Sequence, residues 1–243
     1  MNLVIDLGNT RIKAGIFDGE ELVHQVSYSG FTTEKLISDT NKHQIDYCIF
    51  SSVVKGLDII DKLKNLFPLL VLDAHTKLPF INQYKTPGTL GNDRKANIAG
   101  AAKLFPGKHV LVIDAGTCLK TDFINSKSEY TGGSISPGLQ MRFKAVNDYT
   151  SQLPLVNYRP MENFTGTGTE ESILAGVIKG FLFEMEGFID SYKSKYKDLK
   201  VILTGGDAAL FDKTLKNSIF VAPYLALSGL NVILNYNVEK NKI

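Results

Sequence analysis

Leu3-Val4-Ile5-Asp6-Leu7-Gly8 returns, with a single change, as Leu111-Val112-Ile113-Asp114-Ala115-Gly116, 108 positions further along a chain of 243 residues. Each copy is a short β-branched run ending in Asp, a spacer and Gly, with a threonine close behind, Thr10 or Thr117. Such a run reads as a strand leading into a turn. A second strand pattern follows each copy, Arg11 to Phe17 and Leu119 to Asn125, and a third follows that, Glu21 to Tyr28 and Ser128 to Ile135. The repeated unit is a strand–turn–strand–turn–strand meander, which predicts two related halves.

Outward from the first copy, the patterns predict a helix over Thr33 to His43, a buried strand over Asp46 to Val53, a helix over Leu57 to Phe67 and a strand over Leu69 to Leu72. That half is α/β. A loop with Pro79, Pro87, Gly88 and Gly91 precedes an alanine-rich helix, capped by Asn92, that runs to about Phe105. Pro106-Gly107 ends it and marks the expected boundary between a domain of residues 1–107 and one of residues 108–243. Beyond the second meander, helices are expected near Leu139 to Tyr149 and Glu170 to Lys193, then a strand over Lys200 to Thr204 and two closing helices.

The composition, 44% hydrophobic and 21% charged, suits a folded globular chain, and one of this size should bury roughly 70–75% of its unfolded surface without cross-links. Cys48 and Cys118 are too few for a disulfide framework and point to a reducing cytoplasm. The net charge is only +2, and residues 1–107 hold 12 basic and 11 acidic side chains, so neither half is a basic arm for nucleic acid or lipid. Asp6 interrupts any signal-peptide core. The most apolar stretch, Ile173 to Phe188, is broken by Lys179, Glu184 and Glu186, short of the ~18 uncharged residues of a membrane span. A small-molecule partner is expected.

An Asp-x-Gly-x-Thr turn between strands has a physical use. Glycine lets backbone approach a phosphate, hydroxyls and N–H groups donate to its oxygens, and the carboxylate can hold a hydrated Mg²⁺. A plain hairpin turn accounts for one copy equally well. Two copies, with Thr204-Gly205-Gly206-Asp207 late in the chain where an adenosine ring could lie against bare backbone, point to a nucleotide triphosphate. Neither G-x-x-x-x-G-K-[ST] nor G-x-S-x-G occurs, and the histidines at 24, 43, 75 and 109 have no metal-ligand spacing.

This three-part pattern resembles the actin and sugar-kinase superfamily, which implies an α/β fold of two ribonuclease-H-like, actin-like ATPase lobes around a central nucleotide cleft. Gly91-Asn92-Asp93-Arg94 with Asn97 and Ala101-Ala102, Asp114-Ala115-Gly116-Thr117 through Asp122, and Gly132-Gly133-Ser134-Ile135-Ser136-Pro137-Gly138 are similar, in order and spacing, to type III pantothenate kinases. The resemblance implies ATP-dependent phosphorylation of pantothenate to 4'-phosphopantothenate in coenzyme A biosynthesis, by a cytoplasmic homodimer, with Mg²⁺ and a monovalent cation, K⁺ or NH₄⁺, as cofactors.

It assigns Asp93 as general base, a role needing little basicity because the loose transition state of phosphoryl transfer rewards alignment instead. Tyr84, Gly91, Asn92, Asp93, Arg94 and Thr169 are the implied substrate residues, with Arg94 offering a planar fork to the pantothenate carboxylate. Asp6, Leu7, Gly8, Asn9, Thr10, Arg11, Ile12, Lys13 and Thr117 are the implied ATP and phosphate residues; Asp6 holds Mg²⁺ through water and Asp114 the monovalent cation. Several positions have simpler accounts: a first-turn ion pair for Asp93 and Arg94, an exposed strand face for Arg11 and Lys13, a packed loop aromatic for Tyr84. Thr167-x-x-Glu170 reads as a capping box. One departure stands out, because the family commonly continues its second loop with Thr-x-Thr where this chain has Cys118-Leu119-Lys120-Thr121-Asp122, and Lys120 there puts dependence on a cation in doubt. Two other functions remain open, a kinase of another small hydroxyl compound and a nucleotide-binding regulator on the same fold.

Overall fold

A computed structural model describes residues 1–8, 11–28, 33–40, 42–52 and 59–240. Asn9, Thr10 and the predicted element ends at Val53 and Leu57 lie outside them. By contact the chain divides into two compact units: Met1–Gly107 with Ile124–Thr131 and Tyr224–Ile243, and Lys108–Phe123 with Gly132–Pro223. The first break falls after Gly107, whereas the closing helix, expected with residues 108–243, groups with the first unit.

The first unit begins with the meander β1 (Asn2–Leu7), β2 (Ile12–Asp18) and β3 (Glu21–Tyr28), followed by α1 (Thr33–Thr40), β4 (Tyr47–Ser52), α2 (Ile59–Leu66) and β5 (Leu69–Val71). The sheet order is β3-β2-β1-β4-β5, with β1 antiparallel to β2 and parallel to β4. Asn2 to Ile5 are buried in succession, as befits a central strand covered on both faces. Leu3 and Ile5 meet Leu36 of α1 and Ile59 and Leu63 of α2 in one core. A two-residue strand, β6 (Ile81–Asn82), and a 3₁₀ turn at Pro87–Thr89 lead into α3 (Asn92–Leu104).

The meander recurs as β7 (Val110–Ala115), β8 (Cys118–Ile124) and β9 (Glu129–Pro137), which belong to the second unit except for Ile124 and the first three residues of β9. Then come α4 (Leu139–Asp148), α5 (Thr169–Lys195), β10 (Lys200–Thr204), α6 (Ala208–Phe211) and β11 (Phe220–Val221). Its sheet reads β11-β10-β7-β8-β9, with β6 added beside β9 at Ile81↔Glu129 and Asn82↔Tyr130. The order 9-8-7-10-11 is the order 3-2-1-4-5 over again, so the sequence repeat is a repeat of topology. Leu111, Ile113 and Leu203 pack against Phe143 of α4 and Leu174, Ile178 and Phe181 of α5.

The last helix, α7 (Leu225–Glu239), covers the first sheet beside α3. Its place is fixed by a buried amide network: Asn2 Nδ2 donates to Asn231 Oδ1 (2.8 Å) and Asn235 Oδ1 (2.7 Å), and Asn231 Nδ2 to the Gly19 carbonyl (2.8 Å). Losing one such amide would leave its buried partners unsatisfied, at about 1–3 kcal/mol. No described helix is long and apolar enough to cross a membrane.

Candidate functional site

Asp6 stands near the carboxyl end of β1, opposite Lys13 on β2 and beside Ser51 on parallel β4. Residues directly opposite in an antiparallel pair share a sheet face, so the Lys13 ammonium and the Asp6 carboxylate project to one side. Ser51 Oγ donates to Asp6 Oδ1 at 3.1 Å, and Gly8 N–H donates to the Arg11 carbonyl at 3.1 Å. Arg11 is exposed, Ile12 buried and Lys13 half-buried, the alternation expected of the strand, while Leu7 packs on the core.

The start of α3 lies at the same sheet edge. Asn92, expected as cap, is instead the first helical residue, and Gly91 occupies the cap without a side-chain hydrogen bond. Asn92 serves as a buttress: Nδ2 donates to the carbonyls of Leu72 (2.8 Å) and Ser52 (3.4 Å), at the ends of β5 and β4, and Oδ1 accepts from Lys95 Nζ (3.1 Å). Asp93 folds back so that Oδ1 accepts from the Arg94 N–H at 2.9 Å. Gly91 leaves the room for this, since a Cβ there would sit 2.5 Å from Asp93 Oδ1.

Arg94 is only 4% exposed, with its guanidinium carbon 5.4 Å from the centre of the Tyr84 ring. Tyr84 in turn stacks on buried Tyr130, centroids 6.1 Å apart. Lys95 passes unnoticed in the sequence. It is buried, and its Nζ also donates to the Asp73 carbonyl at 2.9 Å. Burial pulls its pKa below the ordinary lysine value, against the opposing pull of the Asp73 charge.

In the second unit the Asp114 turn is framed by two more glycine turns. Gly116 N–H donates to Cys118 O and Gly138 N–H to Thr117 O, both at 3.2 Å. A Cβ on Gly138 would come within 2.2 Å of Gly116 O, and one on Gly205 within 2.3 Å of Ala115 O and 2.6 Å of Asp114 Oδ1. Gly205 also has φ +101°, outside the range side chains favour. Asp207 N–H closes on Ala115 O at 2.9 Å, so three glycine-marked segments meet around one turn. Thr117 is exposed at its tip. Asp114 Oδ2 lies 2.9 Å from Lys120 Nζ, with both side chains about 15% exposed.

Thr169 opens α5 one residue past its Gly168 cap and is exposed. With Leu153, Gly166, Thr167, Ser172 and Ile173 it lines a shallow cavity of about 560 Å³. The expected capping box is shifted by one residue. Thr167 N–H and Oγ1 both donate to Glu171 Oε2 (2.9 and 2.7 Å), because Gly168 holds the cap and Glu171 is the third helical residue.

Among the described residues no three His, Cys, Asp or Glu side chains form a metal-holding group. A Mg²⁺ that keeps its waters and takes its remaining ligands from phosphate needs one or two carboxylates, and Asp6 suits it. A monovalent cation fits Asp114 poorly, because an ammonium group of the chain already stands at Oδ2 and glycine backbone faces Oδ1.

Residues 2–191 match the model of the family described as Type III pantothenate kinase. A Type III pantothenate kinase of Bacteroides fragilis is 46% identical over 239 residues, 98% of each chain. Among solved structures, one described as a Baf family transcriptional activator from Campylobacter jejuni superposes with a TM-score of 0.62 at 20% identity, covering 98% of this chain and 99% of its own. A ROK family glucokinase from Streptomyces griseus gives 0.51 at 12% identity, covering 97% and 98%. These two likenesses establish the fold alone, the ribonuclease-H-like fold of the actin-like sugar kinases. With a family model matched over more than half its length and a relative 46% identical end to end, the chain belongs to the type III pantothenate kinase family.

Proposed function

We infer that the chain transfers the γ-phosphoryl group of ATP to the primary hydroxyl of pantothenate, giving 4'-phosphopantothenate and ADP, the first step of coenzyme A biosynthesis. The observation that carries this reading is the family match over residues 2–191, which spans the Asp6, Asp93, Arg94 and Asp114 motifs. As the acceptor oxygen bonds to the γ-phosphorus, the bond from that phosphorus to the β–γ bridging oxygen breaks, and the hydroxyl proton passes to Asp93. Supporting Asp93 in this role is its seat on the first turn of a helix buttressed through Asn92, which fixes its direction. Loose phosphoryl transfer is accelerated chiefly by alignment and charge neutralisation, so a fixed carboxylate suffices.

Arg94, whose guanidinium lies over the Tyr84 ring, is the residue assigned to the pantothenate carboxylate, and Thr169 donates a hydroxyl to the same substrate. Asp6 to Lys13 and Thr117 serve the phosphates of ATP. Asp6 would hold a hydrated Mg²⁺, and the ion, when bound, would supply positive charge to those phosphates. We further propose a cytoplasmic homodimer that binds neither nucleic acid nor membrane. Two free thiols, a net charge of +2 and an exposed stacked pair, Phe164 and Phe183, support that proposal.

The test is ADP release by the purified protein with Mg²⁺-ATP, with and without pantothenate. Release that follows pantothenate, with mass-spectrometric appearance of the phosphorylated product, is expected. ATP turnover indifferent to pantothenate, or none, overturns the assignment.

A further inference from the structure

We propose that Lys120 is the monovalent cation of the second phosphate turn: a tethered ammonium, so that phosphoryl transfer by this chain needs neither K⁺ nor NH₄⁺. This rests on the reading of the Asp114 turn as a phosphate-binding turn. Lys120 sits on β8, six residues after Asp114, and the two-residue link Gly116-Thr117 folds β8 back beside β7. The hairpin thereby returns its Nζ to 2.9 Å from Asp114 Oδ2.

An alkylammonium has the charge and the N–H donors of NH₄⁺, and K⁺ is a comparably large, weakly hydrated monocation, so the three are chemical substitutes at one carboxylate. Here the substitute is covalently attached. Neither side chain is more than 15% exposed, so the pair is little screened by salt. The opposite carboxylate oxygen faces glycine backbone, where a Cβ on Gly205 would fall 2.6 Å from Oδ1. A free cation at Asp114 would have to settle beside an ammonium of its own sign.

A bare Asp114 would carry its negative charge into a site receiving polyanionic phosphate, and some monocation has to offset it. A tethered one costs no ordering at the moment of binding. The enzyme should accordingly be indifferent to the alkali ion in its buffer, and that indifference should reside in residue 120.

Two readouts test this on the intact protein at constant ionic strength, with Na⁺, K⁺ or NH₄⁺ as the salt. One is phosphorylation rate; the other is the rise in Tm on adding Mg²⁺-ATP, which needs no pantothenate. Wild type is expected to give the same rate and the same ATP-dependent Tm rise in all three salts. Lys120→Thr and Lys120→Ala are expected to lose activity on the order of a hundredfold in Na⁺, as when a preorganised charge is removed from a transition state, and to regain it in K⁺ or NH₄⁺. Lys120→Arg should stay indifferent to the salt.

Wild type that requires K⁺ or NH₄⁺ for both readouts overturns the proposal without any variant, as does a folded Lys120→Thr of full activity in Na⁺. Loss in Lys120→Thr that no cation restores, with ATP still raising its Tm, also counts against it. Wild type that fails to phosphorylate pantothenate in every salt refutes the assigned substrate, while the ATP-dependent Tm still decides the role of Lys120.

Discussion

The Cα of Gly229, inside α7, stands against the carbonyl oxygen of Ala96 on α3, so closely that a Cβ built on it would lie 1.7 Å away. Gly100 on α3 is pressed in the same way toward Leu225 O, at 2.8 Å. Small residues on both helices thus set their spacing, and with it the height of the Asn92-Asp93-Arg94 turn over the first sheet. Propensity alone would make Gly229→Ala stabilising by about 1 kcal/mol. The obstructing atom is backbone and cannot turn aside, so overpacking of about 1–3 kcal/mol or more should outweigh that gain. A net loss near 2 kcal/mol lowers Tm by about 4–8 °C in a chain of this size. Gly187→Ala on α5, with nothing within 4 Å of its Cβ, should raise Tm instead. Stabilisation by both changes would contradict the described α3–α7 contact.

Arg94→Lys preserves charge and removes both the planar fork and the face that lies on Tyr84. Charge-assisted hydrogen bonds contribute about 1.5–3 kcal/mol, which corresponds to a KM for pantothenate raised roughly 10- to 100-fold. The KM for ATP should not move. A matching rise in both would place Arg94 on phosphate rather than on the acceptor.

Asp93→Asn is close in shape and cannot take a proton. Steady-state kinetics should show kcat reduced by about 10²–10⁴-fold, the usual worth of a general base, while ATP still raises Tm as in wild type. Unchanged kcat would remove Asp93 from the chemistry.

The strand–turn repeat was legible because its hydrophobic runs end at Asp-x-Gly in both halves, and the sheet orders 3-2-1-4-5 and 9-8-7-10-11 repeat accordingly. The destination of α7 was not legible. Its buried Leu225, Leu227, Leu230, Ile233 and Leu234 would suit any sheet face, and the signal that places it, amide pairing to Asn2 across 229 residues, has no periodicity. Asn92 carries a capping residue's chemistry, yet it points at the ends of β4 and β5, a choice made by tertiary hydrogen bonds. Lys120 was conspicuous as a departure from the family pattern, but its partner emerged only when the hairpin closed. Strands as short as β6 and β11, two residues each, leave no pattern to read.

Asp73 offers a pH-resolved test of the loop that supports Lys95. Burial would raise its pKa, but hydrogen bonds from Thr76 Oγ1 and from the His75 and Thr76 N–H groups, all at 2.8–2.9 Å, outweigh this and hold it below the ordinary 3.8. With the folded value depressed, the carboxylate contributes stability that is fully present above the unfolded pKa and is lost as pH falls through the folded one. Asp73 is exposed, so the contribution stays under about 1 kcal/mol. Wild type should therefore exceed Asp73→Asn in Tm at pH 5, and the margin should shrink below pH 4. A margin unchanged at pH 3 would show that the carboxylate charge contributes nothing.

Gly205 and Gly206 are adjacent and chemically identical, and the structure gives them opposite tolerances. Gly205 has φ +101°, and a Cβ on it would overlap Ala115 O and Asp114 Oδ1; Gly206 has open space on that side. Gly205→Ala should cost about 1–2 kcal/mol in backbone strain and about 1–3 more in overlap. The Ala115 backbone cannot turn aside, and the further overlap with Asp114 Oδ1 bears on the carboxylate that pairs with Lys120, so the damage should reach ligand binding as well as stability. The expected outcome is a lowered Tm together with a smaller ATP-dependent rise for Gly205→Ala, against a change within about 0.5 kcal/mol and a normal ATP response for Gly206→Ala. Equal tolerance at both positions would mean that the turn after β10 does not close on Asp114, and a lowered Tm with an undiminished ATP response would separate the fold of this turn from nucleotide binding.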